Sequence, residues 1–312
     1  MKKIFQKTLI AAALALPVLA SATAITFDMN GAAAGQSYTV DLLDWTVGNA
    51  LAVNGNPSTG LVAGAQTQLL YQANLGLVSL GGVTQATAGI GGAQNFTVVA
   101  GFNEIVLGTS TATNINFGLN DPGTGLTSSN FFYIYANTTG NNLAGTGFVG
   151  GNLVMSGYIS RVLSSNYATQ GLTGTFDQSP NGDQYAGKQT LIGSGSSDIN
   201  VTLDFTNANY FKGLTSGEIL SLAFTNTSQV TPFRQVDPSL CFSSNGTVGC
   251  NTLSNIGTVN GVREATTRNF QLQADGNTSF VTTSVPEPGS LALVGLALGA
   301  AGFVGRRSSK KA

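Results

Sequence analysis

The chain contains the stretch Ile199-Asn200-Val201-Thr202-Leu203-Asp204-Phe205-Thr206, in which apolar and polar residues alternate strictly over eight positions. Successive side chains of a β-strand point to opposite faces, so this period of two is typical of a strand with one face in a hydrophobic core. The pattern predicts that the buried face carries Ile199, Val201, Leu203 and Phe205.

Shorter runs of the same character occur along most of the chain, separated by clusters of Gly, Asn and Ser. Closely spaced strands with turn signals between them are typical of sandwiches and barrels. No repeat of fixed period and no Pro-rich linker is apparent, so we predict one all-β, sandwich-like domain over residues 25–284. Weak helical character is confined to a short turn at Ala208–Phe211 and a loose segment at Ser160–Ala168. We predict strands at residues 25–29, 38–45, 68–77, 96–100, 104–107, 115–119, 131–135, 153–162, 199–206, 219–224, 229–236, 270–273 and 280–282.

The composition excludes several classes of function. The 312 residues include 13 basic and 14 acidic residues, for a formal net charge of −1, and no His. Nucleic-acid binding requires clustered Lys and Arg, so we expect no nucleic-acid partner. Without His, Ser-His-Asp and Cys-His catalysis and His-ligated metal sites are excluded. We therefore expect a protein that is not an enzyme and uses no cofactor.

The N-terminus has the three parts of a secretory signal peptide. Basic residues at Lys2, Lys3 and Lys7 precede an apolar run over residues 9–19, and small residues follow at 20–24. This order predicts a signal peptide at residues 1–24, cleaved after Ala24 or, as a second choice, after Ala22. The apolar run is too short for the alternative, a membrane anchor. The expected partners are the Sec translocon and signal peptidase.

The C-terminus, residues 285–312, also has three parts in order. An extended Pro-containing motif is followed by an apolar stretch at 289–305, long enough to just cross a bilayer as a helix. The basic cluster that follows predicts that the C-terminus stays in the cytoplasm, so that residues 25–284 lie outside the membrane. The alternative is a plain C-terminal anchor. The motif is Val285, Pro286, Glu287 and Pro288, and the stop-transfer cluster is Arg306, Arg307, Lys310 and Lys311.

Val-Pro-Glu-Pro, a short apolar helix and a terminal basic cluster resemble the PEP-CTERM sorting signal of Gram-negative bacteria. The resemblance implies recognition of Pro286, Glu287 and Pro288 by the membrane protease-transpeptidase exosortase, after a transient inner-membrane stage. It also implies an association with exopolysaccharide. We then expect a secreted or surface protein that lacks the residues beyond about Pro288.

Removal of both ends changes the charge of what remains. Residues 25–284 hold six basic and 13 acidic residues, a formal net charge of −7. The exported body is therefore acidic and sparsely charged, and its polar residues are mostly Gly, Asn, Ser, Thr and Gln. Such residues present many uncharged hydrogen-bonding groups suited to glycans.

Cys241 and Cys250, the chain's two cysteines, flank the dipeptide Asn245-Gly246. Asn-Gly is a strong signal for a type I′ hairpin, and an even pair of cysteines in an oxidising exterior predicts a disulfide. The alternative, a catalytic thiol, lacks a His partner.

Two glycine-containing motifs are weak indications of ligand binding. Gly145, Gly147 and Gly150 have the spacing of a dinucleotide-binding loop but lack its strand–helix context, so we interpret the match as chance. The second motif is residues 177–182, which has oxygen-bearing side chains at positions 1, 3 and 5 and Gly182 at position 6. This spacing resembles the start of a calcium-binding loop. Lys188 stands where that loop needs Glu, and an ordinary turn is the alternative. The calcium candidates are Asp177, Ser179 and Asn181.

Several aromatic residues can either stack on sugars or pack in the core. The thirteen acidic residues also leave open a glycosidase pair, since that chemistry needs two carboxyl groups at a suitable separation. Sequence alone places neither an aromatic surface nor an acid pair. The aromatic candidates are Trp45, Tyr71, Tyr133, Tyr135, Tyr158 and Tyr210.

Four segments resemble the flocculation-associated PEP-CTERM proteins: residues 44–51, 70–75, 99–102 and 226–239. The resemblance implies a role in holding cells and exopolysaccharide together in flocs, and it brings no catalytic residues. We expect an exported matrix protein that promotes flocculation or biofilm cohesion at the cell surface. The alternatives are a carbohydrate-active enzyme of the matrix and a self-assembling surface protein that uses exposed strand edges.

Overall fold

β-strands form the regular structure of the part of the chain that the structure describes. The computed structural model describes residues 23–31, 36–55, 61–89, 94–111, 113–121, 124–141, 145–173, 176–177, 184–185, 190–226 and 270–280. No α-helix occurs in these ranges, so the all-β prediction is confirmed. The fifteen strands are β1 (Ile25–Asp28), β2 (Ser37–Val40), β3 (Leu42–Val53), β4 (Gln66–Leu80), β5 (Val83–Thr87), β6 (Phe96–Val106), β7 (Asn114–Leu119), β8 (Phe131–Ala136), β9 (Asn152–Thr173), β10 (Phe176–Asp177), β11 (Gln184–Tyr185), β12 (Thr190–Thr206), β13 (Phe211–Lys212), β14 (Ile219–Asn226) and β15 (Phe270–Ser279).

Eight antiparallel strands close into a barrel. Around the ring the order is β4, β3, β15, β14, β12, β9, β8 and β6, and the pairing of β6 with β4 completes it. Strand β8 bridges β6 and β9 at one end, and β7 bridges the same two strands at the other. The predicted sandwich is therefore wrong: a sandwich keeps two separate sheets, whereas here every strand of the ring is paired on both sides.

The alternating stretch at residues 199–206 lies in β12, and its prediction is correct at three of four positions. Ile199, Val201 and Leu203 are buried in the barrel core. A register shift follows Leu203, and Phe205 pairs with Ser156 on the opposite face, where it is 42% exposed. A β-bulge adds one residue to a strand and so reverses the face of every later side chain.

Of the two segments with weak helical character, the loose one is strand and the short one is the turn that we predicted. The segment Ser160–Ala168 lies inside β9, which pairs with β12 along this region with two register shifts, one at Asp198/Ile199 and one at Asn200/Val201. The segment Ala208–Phe211 is a turn closed by hydrogen bonds from the amides of Tyr210 and Phe211 to the carbonyl of Asn207. In Ser160–Ala168, pairing with β12 overrides the weak local helical propensity.

Most other strand predictions differ in their ends. The run at 38–45 divides into β2 and β3, while the run at 96–100 and residues 104–106 of the next run are parts of β6. Phe280, the one described residue of the run at 280–282, is not in a strand. The run at 229–236 lies outside the described residues. The predicted signal peptide and sorting segment also lie there, so the boundaries 1–24, 25–284 and 285–312 stay predictions. In the described part of the chain, no helix is long and apolar enough to cross a membrane.

A small sheet closes one end of the barrel. Strands β13, β1 and β2 form this capping sheet, and Phe27 of β1 packs between Phe96 and Phe211 at ring-centre distances of 5.1 and 4.8 Å. Asp28 is buried beside them, yet Ser37 Oγ donates to it at 2.8 Å and Lys212 Nζ lies 3.6 Å away. Burial tends to raise the pKa of Asp28, but these contacts and the Asn30 amide hold it below its ordinary value.

Gly48 of β3 faces the barrel interior at a point where two strands come unusually close. A β-carbon there would overlap the carbonyl oxygen of Gln72 and lie 2.6 Å from Ala73 Cβ. We expect Gly48→Ala to lower the free energy of unfolding by about 1–3 kcal/mol, because backbone atoms must shift to admit the methyl group. Gly108→Ala is the matched control, since a β-carbon at Gly108 meets no atom within 4 Å. Urea unfolding of both variants measures the difference, and equal midpoints would contradict the close approach.

Candidate functional site

A row of aromatic rings lies on the outer face of β8. This strand is aromatic or apolar at every position, and Phe132, Ile134 and Ala136 fill the barrel core. The alternation of a strand sends the other three side chains outward. These half-buried residues, Phe131, Tyr133 and Tyr135, are the aromatic row.

The rings of the aromatic row follow one another closely. Phe131 and Tyr133 are stacked, with ring centres 5.5 Å apart and planes at 18°, and Tyr135 continues the row at 6.1 Å from Tyr133. Because they are neighbours at alternate positions of one strand, their spacing is fixed by the backbone. Amphipathic rings held in this way offer apolar faces together with hydroxyl groups at the edge.

A loop from the β8–β9 connection forms the wall opposite the aromatic row. Phe148 of this loop is buried, and its carbonyl accepts a hydrogen bond of 2.7 Å from Thr97 Oγ1 of β6. Asn74 of β4 both accepts from the Gly140 amide at 2.7 Å and donates to the Gly140 carbonyl at 3.0 Å. The loop is therefore tied to the barrel wall before the segment Gly145–Val149, at Gly140, and within that segment, at Phe148.

The aromatic row and this loop enclose a groove of about 530 Å³, which we call the outer groove. Gln72 of β4 and Val99 of β6 form its floor, and Tyr133, Tyr135 and Thr146 supply hydroxyl groups. The volume lies within the range of small-ligand sites, which combine apolar walls with a few polar groups.

The residues that line the outer groove are neutral, since its described lining contains no acidic and no basic side chain. Burial, and then the negative charge of Asp204, raise the pKa of Tyr133; burial and the neighbouring Tyr133 raise the pKa of Tyr135. Both phenols are therefore neutral at neutral pH and able to donate hydrogen bonds. The arrangement suits a neutral, hydroxyl-rich ligand with apolar ring faces.

Comparison with known proteins identifies the C-terminal segment. Residues 284–308 match the model of the PEP-CTERM protein-sorting motif. The chain carries a PEP-CTERM sorting signal. No curated protein and no solved structure matches the chain. The PEP-CTERM motif indicates an exported protein of the cell surface or exterior that exosortase processes.

The residues of the PEP-CTERM signal, and the cysteines Cys241 and Cys250, lie outside the described residues. The disulfide accordingly stays a prediction. Of the calcium candidates, Asp177 contributes backbone to β10, whereas Ser179 and Asn181 are outside the described ranges. Within those ranges no group of three or more acidic or cysteine side chains is placed to hold a metal ion.

The six aromatic candidates divide between core and surface in the exported PEP-CTERM protein. Trp45, Tyr71 and Tyr210 are buried in the barrel core. Tyr133 and Tyr135 lie together in the outer groove, and Tyr158 is half-buried on β9 and is not among the groove residues.

Sequence reasoning missed Phe131 and the loop. The glycines at 145, 147 and 150, which have the spacing of a nucleotide-binding motif, have φ of 67°, 83° and 104°. Such angles favour glycine, so the cluster marks a tightly turned loop.

Proposed function

We propose that this protein, after processing by exosortase, binds exopolysaccharide at the outer groove and thereby holds cells together in flocs or biofilm. The PEP-CTERM motif supports the export and the exosortase step. Passage through the Sec translocon and cleavage by signal peptidase belong to the same proposal, because residues 1–24 have the pattern of a signal peptide. The protein then acts in the extracellular matrix without catalysis.

The observation that carries the proposal is the row of Phe131, Tyr133 and Tyr135 facing a groove lined by neutral residues. Apolar faces of sugar rings pack against aromatic faces, and the hydroxyl groups of a glycan pair with phenol and backbone groups around them. Because the groove lies on the outside of the barrel, a glycan chain can reach it from solvent.

The groove does not have the chemistry of a glycosidase. Glycoside hydrolysis requires two carboxyl groups flanking the scissile bond. Two described carboxyl groups that influence each other are Asp44 and Asp275, since burial and then the Asp275 charge raise the pKa of Asp44. Neither residue lines the outer groove. We therefore propose binding as the function.

The test is the affinity of the purified secreted protein for exopolysaccharide from the same cells. We expect the double variant Tyr133→Ala/Tyr135→Ala to bind about tenfold more weakly, because each aromatic contact contributes about 0.5–1.5 kcal/mol. Tyr38→Ala is the matched control, a half-buried tyrosine on the capping sheet, and it should bind as the parent does.

Two outcomes contradict the proposal. The first is equal affinity of the parent and the folded double variant. The second is release of shortened glycans by the parent, which would indicate an enzyme. Flocculation of cells that express the double variant should fall in parallel with its affinity.

A further inference from the structure

A second cavity lies inside the barrel, at the end opposite the capping sheet. It has a volume of about 70 Å³ and is surrounded by residues from β3, β4, β6, β7, β9, β12, β14 and β15. Large aromatic side chains fill the capped end, whereas small residues face inward here, among them Ala50, Gly195 and Ala274. We call this space the barrel-end cavity.

Glu104 of β6 lines the barrel-end cavity and is 4% exposed. Ser165 Oγ donates to Glu104 Oε1 at 2.9 Å and lies 2.9 Å from Ser197 Oγ. Among the described residues, Ser165 donates a hydrogen bond to this carboxyl group, and no cationic side chain forms an ion pair with it. Burial of a carboxylate without a counter-charge is unfavourable in free energy, so a cation that binds beside Glu104 would stabilise its ionised form.

Aromatic rings surround Glu104 in the cavity lining: Tyr71, Tyr167, Phe117 and Phe224. Tyr71 and Phe224 meet edge to face at 4.4 Å. Within the described part of the chain, the buried Tyr71 hydroxyl has no hydrogen-bond partner. A single acid among aromatic faces is the arrangement that recognises an organic cation, since the faces of the rings attract positive charge.

We propose that the barrel-end cavity binds a small organic cation, with its ammonium group paired to Glu104 and its apolar body against the rings. Ser165 orients the carboxylate by its hydrogen bond to Oε1, and the Ser197 hydroxyl in turn contacts Ser165 Oγ. The volume restricts the ligand to a few carbon atoms beyond the ammonium group. This site is separate from the outer groove, with which it shares no lining residue.

Protonation of Glu104 controls such binding. Burial raises the pKa of Glu104 to about 7, although the Ser165 hydrogen bond acts in the opposite direction. The other titratable side chains in the described lining are Tyr71 and Tyr167. Burial and the charges of Asp275 and Asp44 raise the pKa of Tyr71 further, so it is neutral throughout. Affinity for a cation should therefore rise as Glu104 ionises between pH 5.5 and pH 8.

The experiment compares ethylammonium with ethanol, which share an apolar body of two carbon atoms and differ in charge. Both are titrated into the purified full chain by calorimetry at pH 8 and pH 5.5. At pH 8 we expect the ammonium ion to bind at least about tenfold more tightly than the alcohol, and to lose at least about tenfold in affinity at pH 5.5.

Glu104→Gln should abolish the preference for the ammonium ion, whereas the matched control Glu218→Gln should retain it. Tyr133→Ala/Tyr135→Ala should also retain it, which separates this proposal from glycan binding. Equal affinities for the two ligands, or equal ammonium affinity in Glu104→Gln and the parent, would overturn the proposal. Should Glu104→Gln not fold, an ammonium affinity of the parent that is the same at both pH values would overturn it.

Discussion

We expect Trp45→Ala to lower the free energy of unfolding by about 3–5 kcal/mol. Trp45 is the single tryptophan of the chain and is 1% exposed in the barrel core. Its removal leaves the largest void that one substitution can create among the fully buried side chains. A closed barrel collapses poorly around such a void, because strands paired on both sides have little freedom to move inward.

A lost hydrogen bond adds to this effect. Trp45 Nε1 donates to Thr278 Oγ1 of β15 at 2.9 Å, and Thr278 is fully buried. Without the indole, the hydroxyl group loses its partner in a site closed to water, which costs about 1–3 kcal/mol. Trp45→Phe should therefore fall between the parent and Trp45→Ala in stability.

Urea unfolding followed by far-UV circular dichroism measures the effect, since the substitution removes the tryptophan fluorescence. Phe205→Ala is the matched control, an aromatic residue on the outer face of the same barrel, and should cost less than about 1 kcal/mol. A similar loss of stability in Trp45→Ala and Phe205→Ala would contradict the position of Trp45 in the core.

The second large effect concerns the pH dependence of stability. Burial raises the pKa of Glu104 from its ordinary value of 4.5 to about 7. Between these values the unfolded chain releases the proton that the folded chain retains, so the parent loses stability as pH rises. The loss amounts to about 3 kcal/mol by pH 8. Glu104→Gln cannot ionise, and its stability relative to the parent should rise by that amount from pH 4 to pH 8.

Asp28 changes the stability with pH in the direction opposite to Glu104, so the contributions of the two residues must be distinguished. Its lowered pKa stabilises the fold above the ordinary carboxyl range, and that contribution is lost as pH falls toward the folded-state value. Since Asp28 is present in the parent and in the variant, the difference between their unfolding free energies isolates Glu104. Glu218→Gln, with its carboxyl outside the barrel-end cavity, should follow the parent. A constant difference between Glu104→Gln and the parent from pH 4 to pH 8 would refute the burial of an ionisable Glu104.

Local sequence patterns predicted the strands well and their ends poorly. Ile199, Val201 and Leu203 lie where the alternation predicts, because the period of two is a property of the strand itself. Phe205 does not, because the bulge after Leu203 arises from pairing with β9. The same long hairpin turns the predicted helical segment Ser160–Ala168 into strand.

The candidate site was predicted in part. Tyr133 and Tyr135 were among six aromatic candidates, and their spacing of two places them on one face of a strand. Every residue of β8 is aromatic or apolar, so polarity along the strand does not distinguish the buried face from the exposed one. The barrel decides this, since Phe132 and Ile134 pack in its core and the tyrosines face outward.

The sorting signal and the all-β class are determined by the sequence alone, because each depends on residues adjacent in the chain. Residues 284–308 are recognised as a linear motif, and alternation is a local property of a strand. Closure of the barrel, the outer groove and the burial of Glu104 are decided by tertiary structure alone. They depend on contacts between remote segments, such as the bond between Trp45 and Thr278, 233 residues apart. The closed ring of backbone hydrogen bonds brings such segments together and creates the barrel interior in which the Glu104 carboxyl group is buried.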